Sequence, residues 1–301
     1  MSAQWRGSLF VLLSAAGFGV MSILAEYAYQ VDVSITNLLF WRFLLAAVLF
    51  FLLLAGKKER LRLNRKQFVA LIGLGGVLYT LQSFSFFTAV DYISPSMAAL
   101  LLYSFPIFVS ILSYWIEKEK LNKQTLGAML LSVCGLALVL GNAFDVLHPL
   151  GILFGFGAAI FYSFYIVLGN RVVQSLPPLL TSAYISLFAS ISFLLFSYTR
   201  GDLHYDLPGQ AWGAIAGIVL FSTVLAIVCF FVGLRLIGAT KASVLSTIEP
   251  VVTSVIALLL LGDRLSLTQM VGGLLVLSGA ALIVVTRAGE KKELNPEIKE
   301  R

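Results

Sequence analysis

Long apolar runs recur along this chain and constrain its fold more than any other feature. Ten runs are separated by charges, Pro and Gly, and most approach the ~20 residues that a helix needs to cross ~30 Å of hydrocarbon. Only 12% of the residues are charged, against about 25% in soluble domains. The sequence therefore predicts an all-α polytopic membrane protein with ten transmembrane helices. The predicted spans are 7–27, 35–55, 67–89, 95–116, 124–141, 150–169, 178–198, 211–232, 240–261 and 268–286.

The distribution of Lys and Arg predicts the orientation of these spans. With the N-terminus placed inside, 18 of the 21 basic residues fall on the inner side, two fall in outer loops, and Arg42 lies within a span. Such a bias follows the positive-inside rule. We expect a multi-pass protein of the cell (inner or plasma) membrane with both termini in the cytoplasm. The first apolar run lacks a clear cleavage site and is predicted to be a retained helix.

An internal repeat divides the chain into two halves. A shift of 144 residues places Phe86 on Phe230, Ala98 on Ala242 and Pro106 on Pro250 without a gap. The predicted units are a first five-helix repeat (1–143), a second five-helix repeat (144–287) and a charged cytoplasmic tail (288–301). Because five is odd, the second repeat must enter the membrane inverted. Inverted repeats with a site near the midplane are typical of secondary transporters.

Three short motifs resemble a known group. They are the Glu-Pro-Val at 249–251, the Leu-Gly-Asp-Arg-Leu at 261–265 and the Trp-Arg-Phe-Leu-Leu-Ala at 41–46. Together with the two five-helix halves, they resemble the drug/metabolite transporter superfamily, specifically its EamA-domain members, over residues 7–287. The Glu-Lys-Glu-Lys-Leu at 117–121 departs from the family's usual Gly-Glu-Arg-Leu-like ending. The resemblance implies export or uptake of small metabolites, amino acids among them, without ATP.

Glu249 is the main candidate for a functional group. It lies about nine residues into an apolar run, where an ionisable side chain costs ~2.5–3.5 kcal/mol on insertion scales. Pro250 has no N–H, so the carbonyl of Ser246 loses its helical partner and a polar cavity becomes the expected environment. The repeat places Phe105 where Glu249 stands, so the proline is common to both halves and the charge is not. The alternative is a structural carboxylate that only orders helices.

Arg42 is the second ionisable group within a span, and two interpretations stay open. Its helical neighbours are apolar, so the side chain could extend to the outer surface. Alternatively it turns inward, to pair with a carboxylate or to bind an anionic group of a substrate. Glu26 is the candidate partner nearest in sequence, and Glu249 lies deeper.

Aromatic, hydroxyl and amide side chains at helical spacing complete the predicted binding site. Such side chains are the usual lining of a small-molecule cavity. The full set of predicted substrate-binding residues is Glu249, Ser246, Tyr103, Tyr79, Gln82, Tyr162, Tyr165, Phe18 and Arg42. We expect the cavity to lie between spans one, three, four, six, eight and nine, with Pro106 and Pro250 as hinges.

These features predict a secondary-active transporter, with export the favoured direction, that moves small polar or amphipathic solutes by alternating access. Glu249 would bind a substrate amine or carry a coupling proton. The alternatives are a lipid or lipid-linked flippase of the same fold, a non-transporting membrane subunit, and a membrane enzyme. Walker A and H-E-x-x-H patterns are absent, so an enzyme, a cofactor, a metal site and a nucleic-acid partner are not predicted. We expect both cysteine thiols to be buried. We expect the lipid bilayer to be a partner, and the protein to be a monomer or a homodimer.

Overall fold

The structure is a computed structural model that describes residues 2–56, 63–90, 92–93, 95–118, 122–139, 148–261 and 266–285. These residues form helices, turns and short connections, and they contain no strand. In the first half, α1 is Ala3–Tyr29, α2 is Ile35–Gly56, α3 spans 65–90, α4 comprises α4a (Pro95–Leu102) and α4b (Phe105–Glu117), and α5 is Lys123–Val139. In the second half, α6 is Pro149–Ser175, α7 is Pro178–Arg200, α8 is Gly209–Ile237, α9 comprises α9a (Ala239–Ser246) and α9b (Glu249–Leu261), and α10 is Leu267–Val285.

Six of these helices, α1, α2, α3, α6, α7 and α8, are long and apolar enough to cross a membrane. Helices α5 and α10 have 17 and 19 residues, and α4 and α9 are each divided by a two-residue break. The broken and shorter helices still occupy the positions of predicted spans. Apolar side chains cover much of the outer surface, as a bilayer would require.

The same irregularities occur at equivalent positions in both halves. The break between α4a and α4b falls at 103–104, and the break between α9a and α9b falls at 247–248, which is 144 residues later. Helix α3 contains a π-helical segment at Gly73–Tyr79, and α8 contains one at Ile218–Leu225. The sequence repeat is therefore also a repeat of helix geometry.

Repeat-related helices pack against each other in antiparallel directions. A Cβ added to Gly135 of α5 would lie 2.6 Å from the carbonyl oxygen of Gly272, and one added to Gly279 of α10 would lie 2.7 Å from that of Ala128. Residue numbers therefore increase in opposite directions along α5 and α10, so the two helices are antiparallel. Helices α2 and α7 behave alike, since Phe43 stacks on Phe193 and Phe51 contacts Tyr184. The absence of side chains at Gly135 and Gly279 permits the close approach of backbones.

Several helices extend beyond their predicted ends. Helix α6 continues to Ser175 rather than stopping near 169, because Asn170, Arg171 and Gln174 remain helical and bond to neighbouring helices. Cys229 is buried, but Cys134 is exposed on α5, so the expectation of two buried thiols was wrong for Cys134. The predicted tail (288–301), the run 262–265 and the side chain of Glu26 lie outside the described residues.

Candidate functional site

A cavity of ≈ 110 Å³ lies at the centre of the bundle, between the two halves. It is bounded by α1, α3, α4, α6, α8 and α9, which are the six spans expected from the sequence. Its wall is mostly aromatic and contains one carboxylate. The lining residues are Phe18, Met21, Tyr79, Gln82, Leu102, Tyr103, Phe105, Tyr162, Tyr165, Ile227, Phe230 and Glu249. Seven of the nine predicted substrate-binding residues are therefore brought together here.

Much of the wall consists of residue pairs related by the 144-residue repeat. Phe18 corresponds to Tyr162 and Phe105 corresponds to Glu249, and all four residues line the cavity. Met21 and Tyr165 form a third pair of the same kind. In each pair the polar member comes from the second half. The shape of the cavity is thus shared between the halves, whereas its hydrogen-bonding groups are not.

Glu249 is the first residue of α9b, directly after the break in α9. At the break, the amides of Thr247 and Ile248 bond to the carbonyls of Val244 and Leu245, three residues back. Pro250 occupies the second position of α9b, where a helix does not require an N–H donor. The break therefore places Glu249 in the cavity wall, at the residue where the second helical segment, α9b, begins.

The hydroxyl of Tyr103 is a neutral donor beside the Glu249 carboxylate, and both groups line the cavity. Tyr103 lies in the break of α4, at a position equivalent to Thr247 in the break of α9. On the other side, the backbone of α9b packs against α1, where Thr253 Oγ1 donates to the carbonyl of Gly19 at 3.0 Å. The carboxylate therefore has one neutral donor beside it and acceptor capacity left for another group.

Aromatic rings form a continuous wall beside Glu249. Tyr162 stacks on Tyr165 with 5.9 Å between ring centres, and Tyr165 meets the edge of Tyr79 at 5.7 Å. Phe105 meets Tyr162 at 4.8 Å. The faces of aromatic rings attract cations and pack against apolar groups. A carboxylate beside such a wall can bind a small molecule that has an ammonium group and an apolar body.

Arg42 does not extend to the surface, so the surface interpretation was wrong. The side chain is 2% exposed, and its Nε donates to Thr223 Oγ1 of α8 at 2.9 Å, while Nη2 donates to the carbonyl oxygen of Ser222 at 3.3 Å. The guanidinium carbon lies 4.7 Å from the centre of the Phe43 ring, and Phe43 in turn packs on Tyr79. Arg42 thus lies behind the cavity wall rather than in it, because α8 provides its acceptors.

Ser246 also lies outside the described cavity wall. It is buried at the end of α9a, and its hydroxyl donates to the carbonyl of Ala242 at 2.9 Å. The helical face that sequence periodicity assigned to both Ser246 and Glu249 is interrupted by the break between them. Pro106 and Pro250 each occupy the second position of the helical segment that follows a break.

Five lining residues were not in the predicted substrate-binding set: Met21, Leu102, Phe105, Ile227 and Phe230. Phe105 could have been found, because the repeat places it on Glu249. The acceptors of Arg42, Ser222 and Thr223, were also missed. They lie in a π-helical segment, and the sequence carries no local signal for that irregularity that we can identify.

Comparison with known proteins connects this architecture to a family. The model of the EamA-like transporter family matches residues 5–141 and, a second time, residues 149–285. The chain is 30% identical over 262 residues to the uncharacterized transporter YyaM of Bacillus subtilis, covering 83% of each chain. It is 27% identical to an uncharacterized transporter of Archaeoglobus fulgidus, covering 92% of this chain and 95% of that one. A solved crystal structure with 19% identity superimposes with a TM-score of 0.82, covering 93% of this chain and 98% of the other.

Proposed function

Because the chain belongs to the EamA-like transporter family, we propose that it is a secondary transporter that moves small organic solutes by alternating access around the central cavity. The observation that carries this proposal is the position of Glu249, a carboxylate in an aromatic cavity at the boundary of two structural repeats. An ionisable group within a membrane span is costly, so its presence favours a role in binding a solute or a proton. Export is the direction that we favour.

The proposed topology has ten spans in two inverted halves. Support comes from the antiparallel packing of α2 on α7 and of α5 on α10, since each pair consists of repeat-related helices. The bias of Lys and Arg supports a cytoplasmic location of both termini in the cell membrane. A monomer or a homodimer is compatible with this topology.

The proposed solute carries an amine that binds Glu249 and a body that packs on the aromatic wall. Tyr79, Gln82 and Tyr165 provide further hydroxyl and amide groups that could bond to polar atoms of the solute. The cavity volume of ≈ 110 Å³ suits a small metabolite better than a lipid with long acyl chains. Amino acids and related amines meet these requirements.

Alternating access requires two parts of the molecule to move relative to each other. The breaks at 103–104 and 247–248 lie beside the cavity in both halves, and there the amides of Ser104, Thr247 and Ile248 bond to the carbonyl three residues back instead of four. Helices bend at such irregularities. In the proposed cycle, α4 and α9 bend at Pro106 and Pro250 and expose the cavity to one side at a time. Glu249 takes up a proton when the solute leaves, if transport is coupled to protons.

A screen of amino acids and small amines in proteoliposomes, with and without a pH gradient, tests the proposal. We expect saturable uptake of one solute class by the native protein and by Asp206→Asn, which removes a carboxylate from an exposed loop. Glu249→Gln should abolish uptake or uncouple it from the gradient while preserving membrane insertion. Normal transport by Glu249→Gln would reject the proposed role of this residue.

The same vesicles distinguish a solute carrier from the alternatives. If lipid headgroups or labelled lipids compete for the site and lipids exchange between leaflets, the protein is a flippase. Failure of every solute class and of lipids, with a correctly folded protein, would favour a membrane subunit without transport activity.

A further inference from the structure

Arg42 is a buried charge that bonds to two consecutive residues of α8, yet it lies outside the cavity wall. We propose that Arg42 is a positioning residue that couples the charge on Glu249 to the shape of the π-helical segment Ile218–Leu225 of α8. The inference rests on the proposed function in one respect, namely that the charge on Glu249 changes during the transport cycle. It assigns to Arg42 a role that is distinct from binding the solute.

The first step is the anchoring of the π-helical segment by Arg42. Its guanidinium bonds to the side chain of Thr223 and to the backbone of Ser222, so one cation from α2 fixes two consecutive residues of the segment. Thr223 Oγ1 also donates to the carbonyl of Ile218, five residues back, at 3.0 Å. Hydrogen bonds to a charged donor are about twice as strong as neutral ones. Arg42 therefore stabilises the π-helical form.

The proposal requires the segment to convert between a π-helical and an α-helical form. A π-helix bonds each amide to the carbonyl five residues back, and conversion to an α-helix shortens this step to four residues. The helix beyond the segment then turns by about 100° relative to the part before it. Ile227 and Phe230, which line the cavity, lie directly beyond the segment. A change between the two forms would consequently remove them from the wall or return them to it.

The second step is the connection between Arg42 and Glu249. The guanidinium lies 4.7 Å from the Phe43 ring, which packs on Tyr79 of the cavity wall at 5.0 Å between ring centres. Through this wall its charge acts on Glu249, Tyr162 and Tyr165. Besides Arg42, the titratable groups that face Glu249 in the described residues are Tyr103 from α4 and Tyr162 from α6. Arg42 is the cation among them, so it balances the carboxylate.

A backbone connection runs in parallel through α1. Ser222 Oγ donates to the carbonyl of Gly17 at 2.6 Å, and a Cβ on Gly17 would lie 2.7 Å from the carbonyl oxygen of Phe221. Two residues further along α1, a Cβ on Gly19 would lie 3.1 Å from the carbonyl oxygen of Glu249. One short stretch of α1 thus contacts both the π-helical segment and the start of α9b.

Within the described residues, the charged anchor occurs on the π-helical segment of the second half and not on that of the first. The repeat places Ser186 of α7 where Arg42 stands in α2, and the hydroxyl of Ser186 is buried without a hydrogen-bond partner in the structure. The π-helical segment of α3 is held instead by neutral contacts, such as the bond from Ser192 Oγ to the carbonyl of Gly76 at 2.9 Å. Both segments are π-helical, but in the part of the chain that the structure describes a charged side chain bonds to the segment of α8 alone.

The physical cause of the response is the cost of an unbalanced buried cation. When an ammonium group of the solute or a proton neutralises Glu249, Arg42 loses its opposite charge in surroundings of low dielectric constant. Conformations in which the guanidinium leaves Thr223 and Ser222 for more polar surroundings then gain in stability. The π-helical segment loses its anchor, and Ile227 and Phe230 turn with the helix.

Cys229, located between Ile227 and Phe230 in α8, is a native reporter of this change. In a Cys134→Ser background it is the single cysteine of the chain. We expect Glu249→Gln and Arg42→Gln each to raise the rate of N-ethylmaleimide labelling of Cys229 by about tenfold or more at fixed pH, since each removes a charge-assisted interaction. The double variant should label no faster than either single variant, because both changes release the same segment. Arg42→Lys should label at an intermediate rate.

The inference is wrong if Glu249→Gln and Arg42→Gln affect the labelling rate of Cys229 independently of each other. If the rate increases of the two single variants multiply in the double variant, or if Glu249→Gln labels like the parent protein, Arg42 has a purely structural role. Should Arg42→Gln fail to fold, Thr223→Val removes the Nε acceptor at nearly constant volume, and hydrogen exchange at 218–225 provides the same comparison with Glu249→Gln. The experiment uses no solute, so its outcome is separate from that of the transport screen.

Discussion

Single residues at the cavity determine what this transporter can bind, and Tyr103 shows how. Its hydroxyl is a neutral donor beside the Glu249 carboxylate in the cavity wall. Tyr103→Phe keeps the ring and removes the donor, and loss of a hydrogen bond to a charged group costs about 1.5–3 kcal/mol. We expect the KM for the transported solute to rise about tenfold, because 1.4 kcal/mol corresponds to a factor of ten.

Initial uptake rates across a range of solute concentrations would measure this effect. Tyr198→Phe is the matched control, since Tyr198 is 75% exposed at the end of α7. An unchanged KM in Tyr103→Phe would show that the hydrogen bond plays no part in solute binding.

Residue types at fixed spacing were sufficient to predict most of the cavity lining, but they could not predict side-chain direction. Glu249 and the tyrosines could be identified because polar groups are rare in apolar runs. The two orientations of Arg42 could not be separated, since its neighbours in sequence are apolar and its acceptors lie on α8, 180 residues or more away. Ser246 was misplaced because periodicity assumes a continuous helix, and α9 is broken between Ser246 and Glu249.

At the scale of helices, the breaks in α4 and α9 are the features most closely tied to motion. Pro250→Ala supplies an amide N–H and allows a continuous helix through 246–250. We expect the variant to fold with normal yield and to transport more slowly, because bending then requires rupture of helical hydrogen bonds. Hydrogen exchange of the amides at 247–252 should slow at the same time. Transport at the native rate with a rigid segment would contradict a hinge at this site.

The second prediction at this scale concerns the close packing of α5 on α10. Gly135→Ala should lower the thermal midpoint, because the new Cβ would lie 2.6 Å from the carbonyl oxygen of Gly272, and overpacking typically costs about 1–3 kcal/mol. Gly127→Ala on the same helix has nothing within 4 Å and should be neutral or stabilising, since Ala is the better helix former. Equal midpoints for the two variants in detergent would contradict the antiparallel contact.

Helix positions could be predicted from the sequence because apolar runs and the 144-residue repeat are both long-range signals. The ends of the helices were less predictable. Polar residues such as Asn170 and Gln174 continue α6 because they bond to Glu117 and to the backbone of Arg235, and these partners are known only from the fold. The π-helical segments were not predicted for the same reason, since their irregular bonding is supported by contacts from other helices.

At the scale of the whole molecule, the proposed orientation can be tested with single cysteines. In a background without Cys134 and Cys229, we expect Asp206→Cys, in the loop between α7 and α8, to react with a membrane-impermeant maleimide in intact cells. Lys66→Cys, at the start of α3, should react only after the membrane is permeabilised. The reverse pattern would contradict the positive-inside assignment of the termini.

The two halves together form a site that neither half contains. Phe18, Phe105 and Met21 of the first half face their repeat-related counterparts Tyr162, Glu249 and Tyr165 of the second half across one cavity. In the proposed cycle, the symmetry in shape would make the two access states alike, and the single carboxylate would be reached from both. Glu249 is therefore the residue on which the proposed cycle depends.

Counterflow in proteoliposomes tests this central claim most directly. Vesicles loaded with a high concentration of the unlabelled solute are diluted into a trace of the same labelled solute, without any ion gradient. We predict a transient accumulation of label with the native protein and with Asp206→Asn, and none with Glu249→Gln at equal reconstitution. Accumulation of label by Glu249→Gln at the native rate and extent would contradict the claim that this carboxylate binds the transported solute.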